Sequence, residues 1–553
     1  MRWWRVLPRW RRYLYALLAV TTVAAGVWLL TFLFLRPDTC ADGVERVGDQ
    51  CVGVNGEGYD FGTPEISDVA RAIERENKRV AGRPHVTVAL MLPLQADTDS
   101  GRDRALRRQM RSDLQGAYLG QRQANDSEGE PPKIRLVLAN PGRGYQHQGK
   151  VVDTLLRMAD SSRDRLRAVT GLNLSLDETE AAVRRLTEHQ VPVLASRISG
   201  DRIANEEPEN GTASVGDRKF PGLARIIPVN SEAVRALAHF SGERGREDRR
   251  TVLVTDERKD GYNNTMAEAF SGIEEEGPPG PAPMSFESPS IDDPGTTGNQ
   301  FDKIANNICD SEADTVYFAG RTLHLRIFAL KLAQVDCKNR HYTIVSGSDA
   351  ASLRQSMSEK DWETLRADGR AKVTVQYSAP AHPDAWKTEL ADWKKRWAKK
   401  HDGQQPSTRQ LPQYLTEPAT ALETLRKRIA TTRQEGVDIG ARPQLDDSRT
   451  MLVYDGMLTI SKALHQAQGE DARMAPHLRD IKNQWSLLQS RHRVRGTSGL
   501  ICLTNVGNPY DKPVAVVKLD PGREGLGKLR FVGLGWPTGK EQPRNCLIPS
   551  RTD

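Results

Sequence analysis

Polar residues recur at one position of a repeated pattern in this sequence, just after an apolar run and just before a stretch of helical periodicity. Asn173 and Ser175 follow the run 166–170, Ser196 and Arg197 follow 191–195, and Asp256 and Tyr262 follow 251–255. Gly320 and Arg321 follow 315–318, and Ser348 and Asp349 follow 342–345. The chemistry open to such groups is recognition. A loop that leaves the carboxyl end of a strand and enters a helix presents free backbone N–H groups and the positive end of the helix dipole, which favour a carboxylate or another anion. Arg197 and Arg321 add positive charge, and Asp256 with Asp349 balances it, a combination suited to an anionic or zwitterionic small molecule. Each residue also has an architectural alternative. Asn173 and Ser175 can cap the helix that begins there, the arginines can pair with surface acids, and Tyr262 can serve packing alone.

Bond-breaking chemistry finds no comparable pattern. There is no His-Glu-x-x-His helix and no Gly-x-Ser-x-Gly elbow, and Gly539-Lys540 is followed by Glu541 where a phosphate-binding loop needs Ser or Thr. The 11 histidines are dispersed. The reading is a protein that is not an enzyme, with no metal and no cofactor. The six cysteines, Cys40, Cys51, Cys309, Cys337, Cys502 and Cys546, include no Cys-x-x-Cys pair. An even count fits three disulfides in an exported chain. Proximity along the chain favours 40–51, 309–337 and 502–546 among the possible pairings.

The elements that must position these groups alternate. Strands at 86–92, 134–139, 166–170 and 191–195 are separated by helices at 104–125, 149–159 and 177–189. A second series has strands at 225–227, 251–255, 315–318, 342–345 and 372–376, with helices at 231–242, 264–275, 301–309 and 323–335. Alternation at this spacing calls for right-handed crossovers and parallel sheets. The fold class is α/β, with two doubly wound Rossmann-like lobes. The Pro- and Gly-rich segment 276–300 reads as an insertion, as does the polar stretch 401–450. Residues 451–466 are an amphipathic helix, and residues 496–537 are rich in strand formers and glycine.

Residues 13–35 carry no charge and follow Arg2, Arg5, Arg9, Arg11 and Arg12. Such a run can cross a bilayer, and the preceding arginines place the N-terminus in the cytoplasm and the body outside. A signal peptide cleaved near Ala24-Ala25-Gly26 is the rival, but the apolar run continues through residues 28–35. Lipidation at Cys40 is poorly served by Pro37-Asp38-Thr39. Residues 37–85 read as an extracytoplasmic stalk. The chain's 79 basic and 72 acidic residues give a net charge of +7. They are interspersed, which is not the one-sided basic face of a nucleic-acid binder.

The order of elements resembles the type I periplasmic-binding proteins, among them the branched-chain amino acid binding components of ABC transporters. The resemblance covers about residues 86–540. It rests on Leu92-Pro93-Leu94, on Gly171 to Ser175, on Ala224 to Pro228, on Asp260-Gly261-Tyr262, on Tyr454-Asp455-Gly456 and on Gly496-Thr497-Ser498-Gly499. It implies one lobe from 86–229 and 380–500, another from 230–379 and 501–540, and a C-terminal tail at 541–553. It also implies three crossovers, an interlobe cleft, a ligand such as an amino acid or related polar solute, and an ABC permease as partner. Leu172 and Leu174 depart from the family turn, which has Pro and Ser there, and this leaves the ligand class open. The competing reading is a ligand-sensing or scaffold ectodomain of the same fold with no transport role.

Overall fold

The computed structural model describes residues 10, 17, 18, 21 and 22, then 39–546 and 548 except for 97–100, 127–131, 208–217, 243–249, 277–279, 338–339, 368–369, 470–473, 523, 526 and 542–545. The basic tail and the apolar run 13–35 lie outside the described residues apart from those five. Among the described residues no helix is long and apolar enough to cross a membrane.

The Val-rich runs form strands buried on both faces. In β4 (His85–Met91) every residue after the first is buried, so both faces of its sheet must be covered by helices. With β1 (Thr39–Ala41), β2 (Val44–Val47), β3 (Gln50–Asn55), β5 (Lys133–Asn140), β6 (Leu166–Gly171), β7 (Val193–Ala195) and β8 (Leu223–Arg225), the first sheet has the order β1-β2-β3-β5-β4-β6-β7-β8. Strands β4 to β8 are parallel to one another, and β3 joins β5 antiparallel. The second sheet is built from β9 (Thr251–Asp256), β10 (Met284–Phe286), β11 (Thr315–Ala319), β12 (His341–Ser346), β13 (Lys372–Ala379), β16 (Val514–Asp520) and β17 (Lys528–Gly535). Its order is β10-β9-β11-β12-β13-β16-β17, antiparallel only from β16 onward. A short hairpin, β14 (Val494–Gly496) with β15 (Gly499–Ile501), stands apart from both. In each parallel core the first strand lies between the second and third, so each sheet has a switch point at which loops part to opposite faces.

The helices that cover these sheets are, in chain order, α1 (Ser67–Val80), α2 (Gly101–Asp126), α3 (Gln148–Asp160), α4 (Asp177–Glu188), α5 (Asn230–Gly242), α6 (Gly261–Glu276), α7 (Thr297–Asp310), α8 (Thr322–Gln334), α9 (Glu359–Arg366), α10 (Ala385–Lys400), α11 (Gln413–Gln434) and α12 (Arg449–Ala467). Separate apolar clusters fill the space on either side of each sheet.

Four expectations are corrected. The segment 37–85 is not a stalk, because its described part belongs to the first lobe. Its hairpin extends the sheet through β3, and Val69, Ile73 and Val80 recur along one buried stripe of α1, just after the buried Ile66. Asn77 fixes that helix, donating to the carbonyls of Gly56 at 2.9 Å and Leu136 at 2.7 Å. The stretch 401–450 contains α11, whose Leu415, Leu422, Leu425 and Ile429 are buried. The insertion 276–300 contributes β10, paired parallel to β9. The lobe boundary at 500/501 also shifts. Val506 accepts from Asn205 Nδ2 and Gly507 accepts from the Arg225 N–H, both at 2.9 Å, so the chain through 508 stays with the first lobe.

Disulfides join Cys40 to Cys51, Cys309 to Cys337 and Cys502 to Cys546. The first closes the β1–β3 hairpin, the second links the end of α7 to the segment after α8, and the third fastens the C-terminal residues to the core of the first lobe.

Candidate ligand-binding cleft

A cleft of about 740 Å³ opens between the lobes and is lined by both. Of the strand-end residues, Asn173, Arg197, Arg321 and Asp349 line it. Ser175, Tyr262 and Ser348 line a smaller recess behind it, at the hinge.

Arg197 sends Nη1 to both carboxylate oxygens of Asp113 at 3.1 Å. Asp113 is 1% exposed and also receives Arg449 Nη1 at 3.1 Å, so two arginines share one buried acid. Arg449 begins α12 and reaches across the cleft to Ser352 Oγ at 3.0 Å. Burial, with the neighbouring Arg197 charge, pulls the Arg449 guanidinium below its ordinary range. On the opposite wall Arg321 is held bidentately by Asp260, Nε at 3.0 Å and Nη2 at 2.8 Å. Its guanidinium lies 4.6 Å from the centre of the Tyr262 ring, a cation–π contact. Its Nη1 stands 3.8 Å from Asp349, too far for a hydrogen bond. Asp349 caps α8 instead, accepting from the Thr322 N–H at 2.8 Å and hydroxyl at 2.9 Å. The Tyr262 hydroxyl accepts from the Asp349 N–H at 3.2 Å, and burial raises its pKa.

Three further hydrogen bonds bind the recess. The Ser175 hydroxyl accepts from the Gly200 N–H at 3.0 Å. Ser199 and Ser348 meet across the lobes at 3.2 Å. Asn173 receives the Tyr145 hydroxyl on Oδ1 at 3.0 Å.

Three of the expected site residues lie elsewhere. Ser196 is fully buried beneath the sheet, donates to the Gly171 carbonyl at 3.3 Å and packs against Gly456 of α12. It directly follows β7 and precedes Arg197, yet of the two only Arg197 lines the cleft. Asp256 is interior, where it accepts the Ser288 hydroxyl at 2.6 Å, the Ser288 N–H at 3.1 Å and Asn263 Nδ2 at 3.0 Å. Gly320 faces the second core, where an added Cβ would stand 2.7 Å from the Phe318 ring.

The strand-end rule missed the residues that dominate the charge. From the first lobe Arg104, Arg108, Arg143 and Arg449 join Arg197, and from the second Arg326 and Arg354 join Arg321. The spacing of Arg104 and Arg108, one turn apart at the start of the helix after β4, was the available clue. Arg225 was missed in another sense. It is fully buried, and its guanidinium donates to the carbonyls of Ile198 and Ile203 at 2.8 Å and Gly200 at 3.3 Å. It thereby sets the loop that carries Arg197 and Ser199, and burial lowers its pKa to about 10. Among the described residues no group of His, Cys, Asp and Glu is placed to hold a metal ion.

No protein-family model and no curated protein matches the sequence. Solved structures do match. The chain superposes on an ABC transporter substrate-binding protein from Aeropyrum pernix with a TM-score of 0.53 at 12% identity, over 84% of this chain and 98% of that one. The chain has the type I periplasmic-binding fold. The branched-chain amino acid transporter substrate-binding protein of Streptococcus pneumoniae, in complex with isoleucine, matches with a TM-score of 0.51 at 13% identity, over 81% of this chain and all of that one. A solute-binding protein of an R. palustris ABC transporter, in complex with benzoate, also gives 0.51, at 12% identity, over 82% of this chain and 97% of that one. The periplasmic-binding fold accounts for the two sheets of like strand order and for the cleft at their facing strand ends.

Proposed function

We propose that this protein is an extracytoplasmic solute-binding protein, held at the membrane by an uncleaved helix over residues 13–35. It takes a small polar molecule in the interlobe cleft as the substrate-binding component of an ABC transporter. The observation that carries the reading is the meeting of Arg197 and Asn173 from one sheet with Arg321 and Asp349 from the other around one open cleft. A ligand that touches both lobes stabilises the closed arrangement more than the open one, which is the condition for a hinge to respond. Proteins of this fold solved with isoleucine and with benzoate support the assignment.

A sensor or scaffold ectodomain is the second reading, favoured by one observation. The loop hydroxyls nearest the hinge are spent on interior bonds, Ser175 with Gly200 and Tyr262 with Asp349. A thermal-shift screen with amino acids, short peptides, sugars and organic acids separates the two. A ligand at one hundred times its Kd adds about 2.7 kcal/mol to the stability of the folded state. The transport-receptor reading expects a shift that is lost in Arg197→Ala and Arg321→Ala. A screen in which no compound raises Tm leaves the scaffold reading.

A further inference from the structure

The cleft is unevenly charged: eight arginines line it against Asp113, Asp292 and Asp349. Each of these acids already has a partner. Asp113 holds Arg197 and Arg449, Asp349 holds Thr322, and Asp292 accepts the Ser290 hydroxyl at 2.6 Å. At the hinge Asp447 is likewise taken, by Gln355 at 2.7 Å and by the Arg449 N–H at 3.0 Å. A zwitterion needs an acceptor for its ammonium group, and the cleft carboxylates, each already bonded within the protein, offer fewer sites for a cation than the arginines offer for an anion.

Three of these arginines are paired by acids outside the lining, Arg143 with Asp49, Arg326 with Asp361 and Arg354 with Asp446; the under-compensated cations are at the centre of the two walls. Arg197 and Arg449 share one carboxylate. Arg449 is 6% exposed, and its Nε has no hydrogen-bond partner among the described residues. Across the cleft, Asp260 serves both Arg258 and Arg321, and Arg321 keeps Nη1 beyond hydrogen-bond reach of Asp349. The lining also carries apolar side chains from both lobes, Leu106, Met110 and Leu174 from the first and Ile291, Leu323 and Met357 from the second.

Resting on the solute-binding reading, we propose that the ligand is a small organic dianion, two oxyanion groups on a short apolar body. Arg197 and Arg449 hold one group and Arg321 the other. Arginine suits both ends because its planar fork matches an oxyanion. With cations on both lobes, the cleft holds like charges facing each other. A dianion that spans it reverses that repulsion only when the lobes are near, and this supplies the difference in affinity that drives closure.

The test is isothermal titration calorimetry on the full chain in detergent with terephthalate and succinate as dianions, benzoate as a monoanion and leucine as a zwitterion. At least one dianion is expected to bind about tenfold or more tighter than benzoate, a difference of about 1.4 kcal/mol, with leucine weaker still. Its affinity is expected to fall as salt rises and to drop in Arg197→Gln. Should that variant fold poorly, Arg104→Gln at the exposed rim is expected to weaken the same dianion. Leucine binding without either dianion would overturn the proposal and leave the solute-binding reading standing. Silence of all four probes would count against both. Dianion binding that is indifferent to salt and to both substitutions would place the ligand outside this cleft and overturn the proposal as well.

Discussion

Asp113 is the residue on which the first wall depends. It is buried and carries the only carboxylate that Arg197 and Arg449 are paired with among the described residues. Removing one partner from a buried ion pair leaves uncompensated charge and costs about 3–5 kcal/mol. Asp113→Asn is therefore expected to lower stability by roughly that amount, read from urea unfolding, whereas Asp349→Asn, at a partly buried position, should cost far less. Glu232, in the first turn of α5, makes a pH prediction. Burial pushes its carboxyl up from 4.5 to about 7, against the pull of Arg225. Between those values the folded chain holds a proton that the unfolded chain has released, so this group's contribution to stability falls as pH rises from about 4.5 to about 7. Glu232→Gln should flatten that decline. Its Tm advantage over the parent should grow with pH and level off above about 7. Residue roles were only half legible in the sequence. The strand-end rule finds Arg197 and Arg321, but it cannot tell that Ser196 turns under the sheet. It has no means of finding Asp113 and Arg449, which reach the cleft from helices more than 300 positions apart.

At the scale of elements, the wall is held by the crossing of α2 and α12. Gly116 and Gly120 lie at that crossing. A Cβ at Gly116 would stand 2.5 Å from the Thr450 carbonyl oxygen, and one at Gly120 would stand 2.5 Å from Met457 Cβ. Asp113 is one turn before Gly116, and Arg449 is next to Thr450, so the distance between these helices sets the geometry of the charged triad. Gly116→Ala should force the helices apart, at a cost of about 1–3 kcal/mol by overpacking. It should also weaken any cleft ligand more than Gly149→Ala in α3, which is outside the cleft lining and where an added Cβ meets nothing within 4 Å. Element existence was readable where apolar runs alternate with helical periods, and the bounds of β4, β5, β6 and α3 fall within about two residues of expectation. It failed where polarity hid periodicity. In α11 the buried positions 415, 422, 425 and 429 keep helical spacing inside a charged surround. In residues 39–80 the Gly-rich turns suggested a linker, while Val44, Val52 and Val54 were already the core of a hairpin.

For the whole molecule, the sequential order of strands was enough to give two doubly wound lobes, because parallel strands with right-handed crossovers admit few arrangements. The place at which the chain crosses between lobes for the last time was not readable, since Val506 and Gly507 carry no side-chain signal for the backbone bonds that keep them with the first lobe. The link from Cys502 to Cys546 tests the same region. In the chain-entropy account a bridge of this kind stabilises by about 2–4 kcal/mol, so the double variant Cys502→Ser with Cys546→Ser should unfold at lower urea. It should not disturb the second lobe, whose own bridge joins Cys309 to Cys337. The N-terminal expectation is tested at this scale too. The mature chain should retain Arg2 to Arg12 when its N-terminus is sequenced, and an N-terminus found after residue 26 or at Cys40 would rule out an uncleaved anchor.

The hairpin that opens the first sheet has a bearing on reach. Strand β1 begins at Thr39, with only three residues between it and the end of the apolar run at Leu35. Fully extended, that interval spans at most about 14 Å. If residues 13–35 lie in the bilayer, as proposed above, the body would be on a short leash with little freedom to roam or tumble. Any membrane partner would meet it at high effective concentration only when already alongside, and a search by free diffusion through the surrounding space would be closed to it.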